Sequence, residues 1–211
     1  MKKIAVVAAG GRVARKVIAE AVNRGFDVTA FGRKDENITA AQHYVKRDIF
    51  DLTAQDLEGF DAVVDAFGAW TPDTLPQHST TLAHLCDILS GTDTRLLVVG
   101  GAGSLYVNPE HTATVSETPD FPDDFKPLAA AMASALDDLR SRDDVNWTYI
   151  SPAGDFQADG ERTGAYLLGG EELKLNDRGE SVISYADYAI AMVDEIEKGN
   201  HTHQRISVVR A

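Results

Sequence analysis

The chain of 211 residues holds one cysteine, Cys86. A single thiol excludes an intrachain disulfide and leads us to expect a reducing, cytoplasmic setting. Long apolar runs are also missing. The opening run, Ile4 to Ala9, breaks at Gly10-Gly11, too soon for a secretory leader and far below the roughly 18 residues a membrane helix needs. Cations are scarce: 20 Lys and Arg stand against 33 Asp and Glu, a net charge of -13. That field repels phosphate backbones, so nucleic acid is not expected as a partner, and without a long apolar run neither is a membrane. A small-molecule substrate is expected instead, with the chain a monomer or homodimer. Any anionic ligand must be held by local amides and cations. There is no internal repeat and no low-complexity segment.

What is present is an alternation of two kinds of segment. Residues 3–8 (KIAVVA) form a short continuous apolar run, the mark of a strand buried on both faces. Glycines follow, then a helical pattern over 12–23 with Val13, Val17, Ile18, Ala21 and Val22 on one stripe. Further strands are expected at 27–31, 43–46, 61–66, 95–99 and 147–150, with helices at 75–89, 127–140 and from Ser184 to about Lys198. Ser184 reads as an N-cap, with Asp187 three positions on. Residues 105–126 form a long loop, and two short strands are expected near 165–168 and 173–175. This rhythm predicts an α/β fold of Rossmann type: a doubly wound parallel sheet with helices on both faces. The expected strand order is 3-2-1-4-5-6, extended by a seventh strand over 205–209. We expect one domain, 1–211, with a small substrate-side region at about 155–183.

The turn between the first strand and first helix reads Ala8-Ala9-Gly10-Gly11-Arg12-Val13-Ala14. A dinucleotide fold places its pyrophosphate there, where bare backbone amides must approach the phosphates. Gly11 and Ala14 suit the second and third positions of the fingerprint. The first glycine is replaced by Ala8 or Ala9, depending on register. Arg12 opposes the helix dipole, a cost that a bound anion would reverse. The second strand ends in Phe31-Gly32-Arg33-Lys34, with Asp35 and Glu36 slightly late to bind a ribose. Arg33 suits a 2′-phosphate, which favours NADP, with NAD still allowed.

On these segments the chain resembles the atypical short-chain dehydrogenase/reductase group: NAD(P)H-binding proteins related to NmrA-like proteins, often labelled NADH-flavin reductases. The resemblance rests on KIAVVAAGGRVARKV (3–17), DAVVDAFG (61–68), RLLVVGGAGSLYV (95–107), DFPDDFKP (120–127), NWTYISPAGDF (146–156) and SYADYAIAMVDEIE (184–197). It implies that Gly10, Gly11, Arg12 and Val13 line the pyrophosphate, with Arg33 at the adenosine phosphate and Asp48 near the adenine. Phe67 and Gly68 would pass under the nicotinamide ribose. Gly101 would edge the crevice, and Ser151, Pro152 and Ala153 would meet the nicotinamide end. The family carries glycine where this chain has Ala8 and Ala14.

Reductases of the wider superfamily pair a tyrosine with a lysine four residues on, the lysine lowering the tyrosine pKa. None of the six tyrosines here has that lysine. Ser104 and Tyr106, just past the fifth strand, are the candidate catalytic residues for polarising a carbonyl. A flavin substrate would need less, because the protein has mainly to stack and orient two rings. Trp70, Phe121 and Phe125 are candidate platforms, and Lys126 a candidate for a ribose or phosphate. Cys86 falls on an apolar helical stripe and reads as packing; His201 and His203 are not expected to form a metal site. The sequence thus points to an NAD(P)H-dependent reductase of a flavin or small carbonyl compound. The alternative is a non-catalytic NAD(P)-binding sensor of NmrA-like type.

Overall fold

The structure is a computed structural model that describes residues 2–211. Ten strands and four α-helices follow one another along the chain among the described residues. They are β1 (Lys3–Val7), α1 (Arg12–Asn23), β2 (Asp27–Gly32), β3 (His43–Lys46), β4 (Ala62–Asp65), α2 (Gln77–Leu89) and β5 (Arg95–Val99). Then come α3 (Lys126–Arg140), β6 (Asn146–Ser151), β7 (Asp155–Gln157), β8 (Tyr166–Gly169), β9 (Val182–Ser184), α4 (Tyr185–Lys198) and β10 (Gln204–Arg210). Eight strands form one sheet in the order β3-β2-β1-β4-β5-β6-β10-β8, and β7 pairs with β9. The expected 3-2-1-4-5-6 order is therefore observed, with the seventh strand as β10, parallel to β6.

Strand pleating divides the core. In β1, Ile4 and Val6 point to one face with Val17, Ile18, Val193 and Ile206, where α1 and α4 pack. Ala5 and Val7 point to the other with Leu82, Leu85, Leu136 and Trp147, where α2 and α3 pack. This two-sided burial explains the continuous apolar runs: every side chain of a central parallel strand has a helix to meet. Each fully buried aliphatic side chain contributes roughly 1.5–3 kcal/mol. Cys86 is buried in the second cluster, as its place on the stripe implied.

Local signals held at the helix ends. Ser184 caps α4, its hydroxyl accepting from the amide of Asp187. Helix α2 starts two residues later than expected, at Gln77, with Pro76 as its N-cap; Leu75 belongs to the preceding turn, its amide donating to Thr71 O. The strand expected near 165–168 is β8, antiparallel to β10 at the sheet edge. The one expected at 173–175 does not form; Leu173 instead donates its amide to the Tyr106 carbonyl. The β7–β9 pair, three residues each, was not expected.

Candidate functional site

The C-terminal ends of β1, β4, β5 and β6 open onto the turns that sequence reasoning singled out. At the first of these, Ala8 adopts φ 54°, in the left-handed region. This resolves the register: Ala8, not Ala9, stands in the first fingerprint position, and the glycine usual there relieves a real backbone demand. Ala9 is buried and donates its amide to Phe31 O at 3.0 Å.

Gly10 and Gly11 are different. Both are exposed, and neither has positive φ. A Cβ at Gly10 would meet nothing within 4 Å, and one at Gly11 would make ordinary contacts, 3.6 Å from Ala8 O. The fold itself does not require these glycines. Gly11 is the N-cap of α1, with no side-chain cap and no acid in the first turn. The first amides of α1, those of Arg12, Val13 and Ala14, thus have no side-chain cap at the positive end of the helix dipole. Val13 is half-buried against the core. Arg12 pairs with Asp159 at 2.8 Å and lies over the Tyr185 ring.

The end of β2 adds a basic wall. An open cavity of about 670 Å³ is lined by Arg33, Lys46, Arg47, Asp48 and Asp51. Arg33 lies 4.0 Å from Asp48 and is mostly exposed. Asp48 is committed to a turn, accepting from Phe50 N at 3.0 Å. Lys46 pairs with Asp35, and Arg47 with Asp56 at 3.3 Å. Lys46 and Arg47 were missed in the sequence, because only the β2–β3 register places Lys46 opposite Gly32 and beside Arg33.

The floor follows β4. The Phe67 amide donates to the Asp65 carboxylate at 2.9 Å, and the Phe67 ring meets His78 edge-on at 5.4 Å. Gly68 is exposed beneath the Trp70 indole, whose Nε1 would lie 3.7 Å from an added Cβ. His78 Nε2 sits 3.1 Å from Ala69 O and 3.3 Å from Ala69 N, so either tautomer ties α2 to this turn. Asp65 was also missed, although an acid closing an otherwise apolar strand was a visible signal. Burial lifts its pKa to about 6.

After β5 the glycines serve packing. Gly101 donates its amide to the Tyr149 hydroxyl at 3.2 Å, and an added Cβ would press on Met132. Ser104 is engaged too: its oxygen accepts from buried Arg205 at 2.8 Å, which leaves the hydroxyl proton free to donate. Arg205 also pairs with Glu171. Tyr106 stacks flat on His111 at 4.2 Å and bridges Glu172. The structure thus joins Ser104 and Tyr106 to residues 171–173. Lys126 pairs with Asp123 at 2.6 Å; Phe125 is exposed and Phe121 half-buried. At the end of β6, Ser151, Pro152 and Ala153 are buried, and Ser151 Oγ has no hydrogen-bond partner. A buried hydroxyl without a partner costs free energy unless something outside the chain satisfies it.

Bare amides at α1, glycines without an internal reason, a basic wall and an orphaned Ser151 together fit a dinucleotide laid across the strand ends. The comparisons agree. The model of the NAD(P)H-binding family matches residues 8–198. YwnB of Bacillus subtilis (strain 168) is 42% identical over 209 residues, covering 98% of each chain. The crystal structure of SP1627 from Streptococcus pneumoniae TIGR4, described provisionally as an NADH-flavin reductase, is 53% identical, with TM-score 0.97 and full coverage of both chains. A Lactobacillus casei protein is 30% identical, with TM-score 0.88 and 99% of each chain covered. With a glycine turn of this geometry and a match over nearly its whole length, the chain belongs to the NAD(P)H-binding family, with a nicotinamide dinucleotide as its cofactor.

Proposed function

We propose that the protein is an NAD(P)H-dependent oxidoreductase that uses NADPH to reduce a flavin. The observation that carries this is the pair Gly10 and Gly11, which lack side chains where the fold has no need of their absence. The cofactor, when bound, supplies a hydride. The α1 amides and Arg12 would hold its diphosphate, and Asp159 would have to yield Arg12 to it. Arg33, Lys46 and Arg47 would hold a 2′-phosphate, and three cations at one wall support NADP over NAD. Asp48 would border the adenine, Phe67, Gly68 and Gly101 the nicotinamide half, and Ser151 to Ala153 its far end.

A flavin fits what the strand ends offer. It accepts hydride at a ring nitrogen, and the protein has only to stack and orient it. Trp70, 72% exposed beside Gly68, and Phe125, 52% exposed, present free aromatic faces. Residues 155–183, with β7, β9 and the edge strand β8, would form the substrate side of one domain. For a small carbonyl substrate, Ser104 would be the donor, since Arg205 holds its oxygen and frees its proton; Tyr106 would flank it. The missing Tyr-Lys pair favours a second reading, a non-catalytic NAD(P) sensor.

The test is oxidation of NADPH followed at its absorbance, with and without FMN, FAD or riboflavin. Flavin-dependent turnover supports the proposal, whereas binding of NADPH without turnover favours the sensor. In Arg33→Ala, affinity for NADPH should fall about tenfold, some 1.4 kcal/mol, while NADH binding changes little. Equal losses for both cofactors would remove Arg33 from the 2′-phosphate.

A further inference from the structure

Asp65 ends β4 with its carboxyl 4% exposed. Its hydrogen bond from Phe67 N is the one given to this carboxyl among the described residues. Beside it lies a cavity of about 20 Å³, lined among others by Phe67, His78, Val98, Met132 and Tyr149. That is room for one water. The groups facing Asp65 carry no charge to offset its own. From α2, burial lowers the pKa of His78 and so keeps the ring neutral. Burial pushes the Cys86 thiol, on the same helix, up to about 12, and does the same to the Tyr149 hydroxyl on β6. Helix α3 contributes Met132 and Ala135, and β5 Val98 and Val99. Of the cations near Tyr149, Arg205 is held by Ser104 and Glu171, and Arg140 by Asp137 and Glu171.

An uncompensated buried carboxylate costs stability, and asparagine would serve the Phe67 amide equally well. The turn Ala66–Phe67–Gly68 leads from buried Asp65 to exposed Gly68 at the strand ends, which sets the carboxylate just beneath the crevice floor. We propose that the buried carboxylate of Asp65 biases this crevice toward the oxidised, positively charged nicotinamide ring over the reduced, neutral one. It thereby favours departure of the hydride and makes Asp65 a positioning and selecting residue. The inference rests on the cofactor reading above.

The oxidised and reduced dinucleotides differ by one charge, on the ring. Their phosphates are common to both, so the ratio of the two affinities isolates the ring from Arg12, Arg33 and the phosphates' own titration. Dissociation constants for NADP+ and NADPH are measured between pH 5 and 8 on wild type and on Asp65→Asn. In wild type, Kd(NADPH)/Kd(NADP+) should rise at least about threefold across this range, as the carboxyl ionises. The midpoint should fall at about 6 or below, since the cationic ring favours ionisation. In Asp65→Asn the ratio should stay flat. A flat wild-type ratio, or parallel curves, overturns this proposal and leaves cofactor binding standing. Failure of both dinucleotides to bind overturns the cofactor reading and this inference with it. Thermal melting without cofactor gives a second readout. The folded pKa lies above the unfolded one, so wild type loses stability as pH rises from about 4 to about 6. Asp65→Asn should therefore melt higher than wild type above pH 6 and equally below about 4. Equal melting throughout would show that Asp65 is not a buried charge and would overturn the proposal.

Discussion

Two glycine turns stand at the same end of the sheet, after β1 and after β5 with β4 between them, and their surroundings differ. After β5, Gly100 is forced by the protein's own packing: an added Cβ would lie 2.2 Å from the Tyr149 ring. Gly103 is similar, with Ala129 at 2.7 Å. After β1, a Cβ at Gly10 would meet nothing within 4 Å and one at Gly11 only ordinary contacts. The turn after β5 is shaped by the protein's own packing; the turn after β1 is not, which supports the reading that a ligand approaches it. A glycine in a sequence says that a side chain is unwelcome, and only neighbouring atoms show whether protein or ligand excludes it.

Substitutions separate the two turns. Gly100→Ala should have the largest effect, destabilising by about 3 kcal/mol or preventing folding, since Tyr149 is fully enclosed and cannot yield. Denaturant unfolding checks this, and a loss under 1 kcal/mol would show that the ring can shift. Gly11→Asp should leave stability within about 0.5 kcal/mol. Dinucleotide affinity should nevertheless fall at least tenfold, or about 1.4 kcal/mol, because a carboxylate would sit at the diphosphate. Wild-type affinity in that variant would mean that the cofactor does not lie on this turn. The smallest effect belongs to Ala8→Gly. It removes the left-handed penalty at Ala8, about 1–2 kcal/mol, and adds the chain entropy of glycine. A net gain of about 0.5 kcal/mol is expected in unfolding experiments, and a loss would place the strain elsewhere.

Much of the architecture was legible because the hydrophobic pattern is local and strong. The run KIAVVA, the stripe from Val13 to Val22 and the cap at Ser184 each determine an element within a few residues of themselves. Two errors lay where locality fails. Leu173 carries a strand-like pattern, yet its amide is taken by Tyr106, 67 positions earlier. The β7 and β9 strands hold three residues each, too few for a period to show. The position of the candidate site was legible for the same reason: Gly10, Gly11, Arg12 and Arg33 lie just past strands that the pattern reveals.

The sequence by itself determined the alternation of strands and helices, the strand order and the glycine turn between β1 and α1. Apolar periodicity and glycine act over one element's length, and parallel strands need crossover helices. Only the tertiary structure decided that Ala8 carries the left-handed bend, that Lys46 and Arg47 join Arg33, that Arg205 holds Ser104, and that Asp65 lies buried without a cation. Those facts depend on which distant residues strand pairing and packing bring within a few ångströms, and no local pattern encodes them.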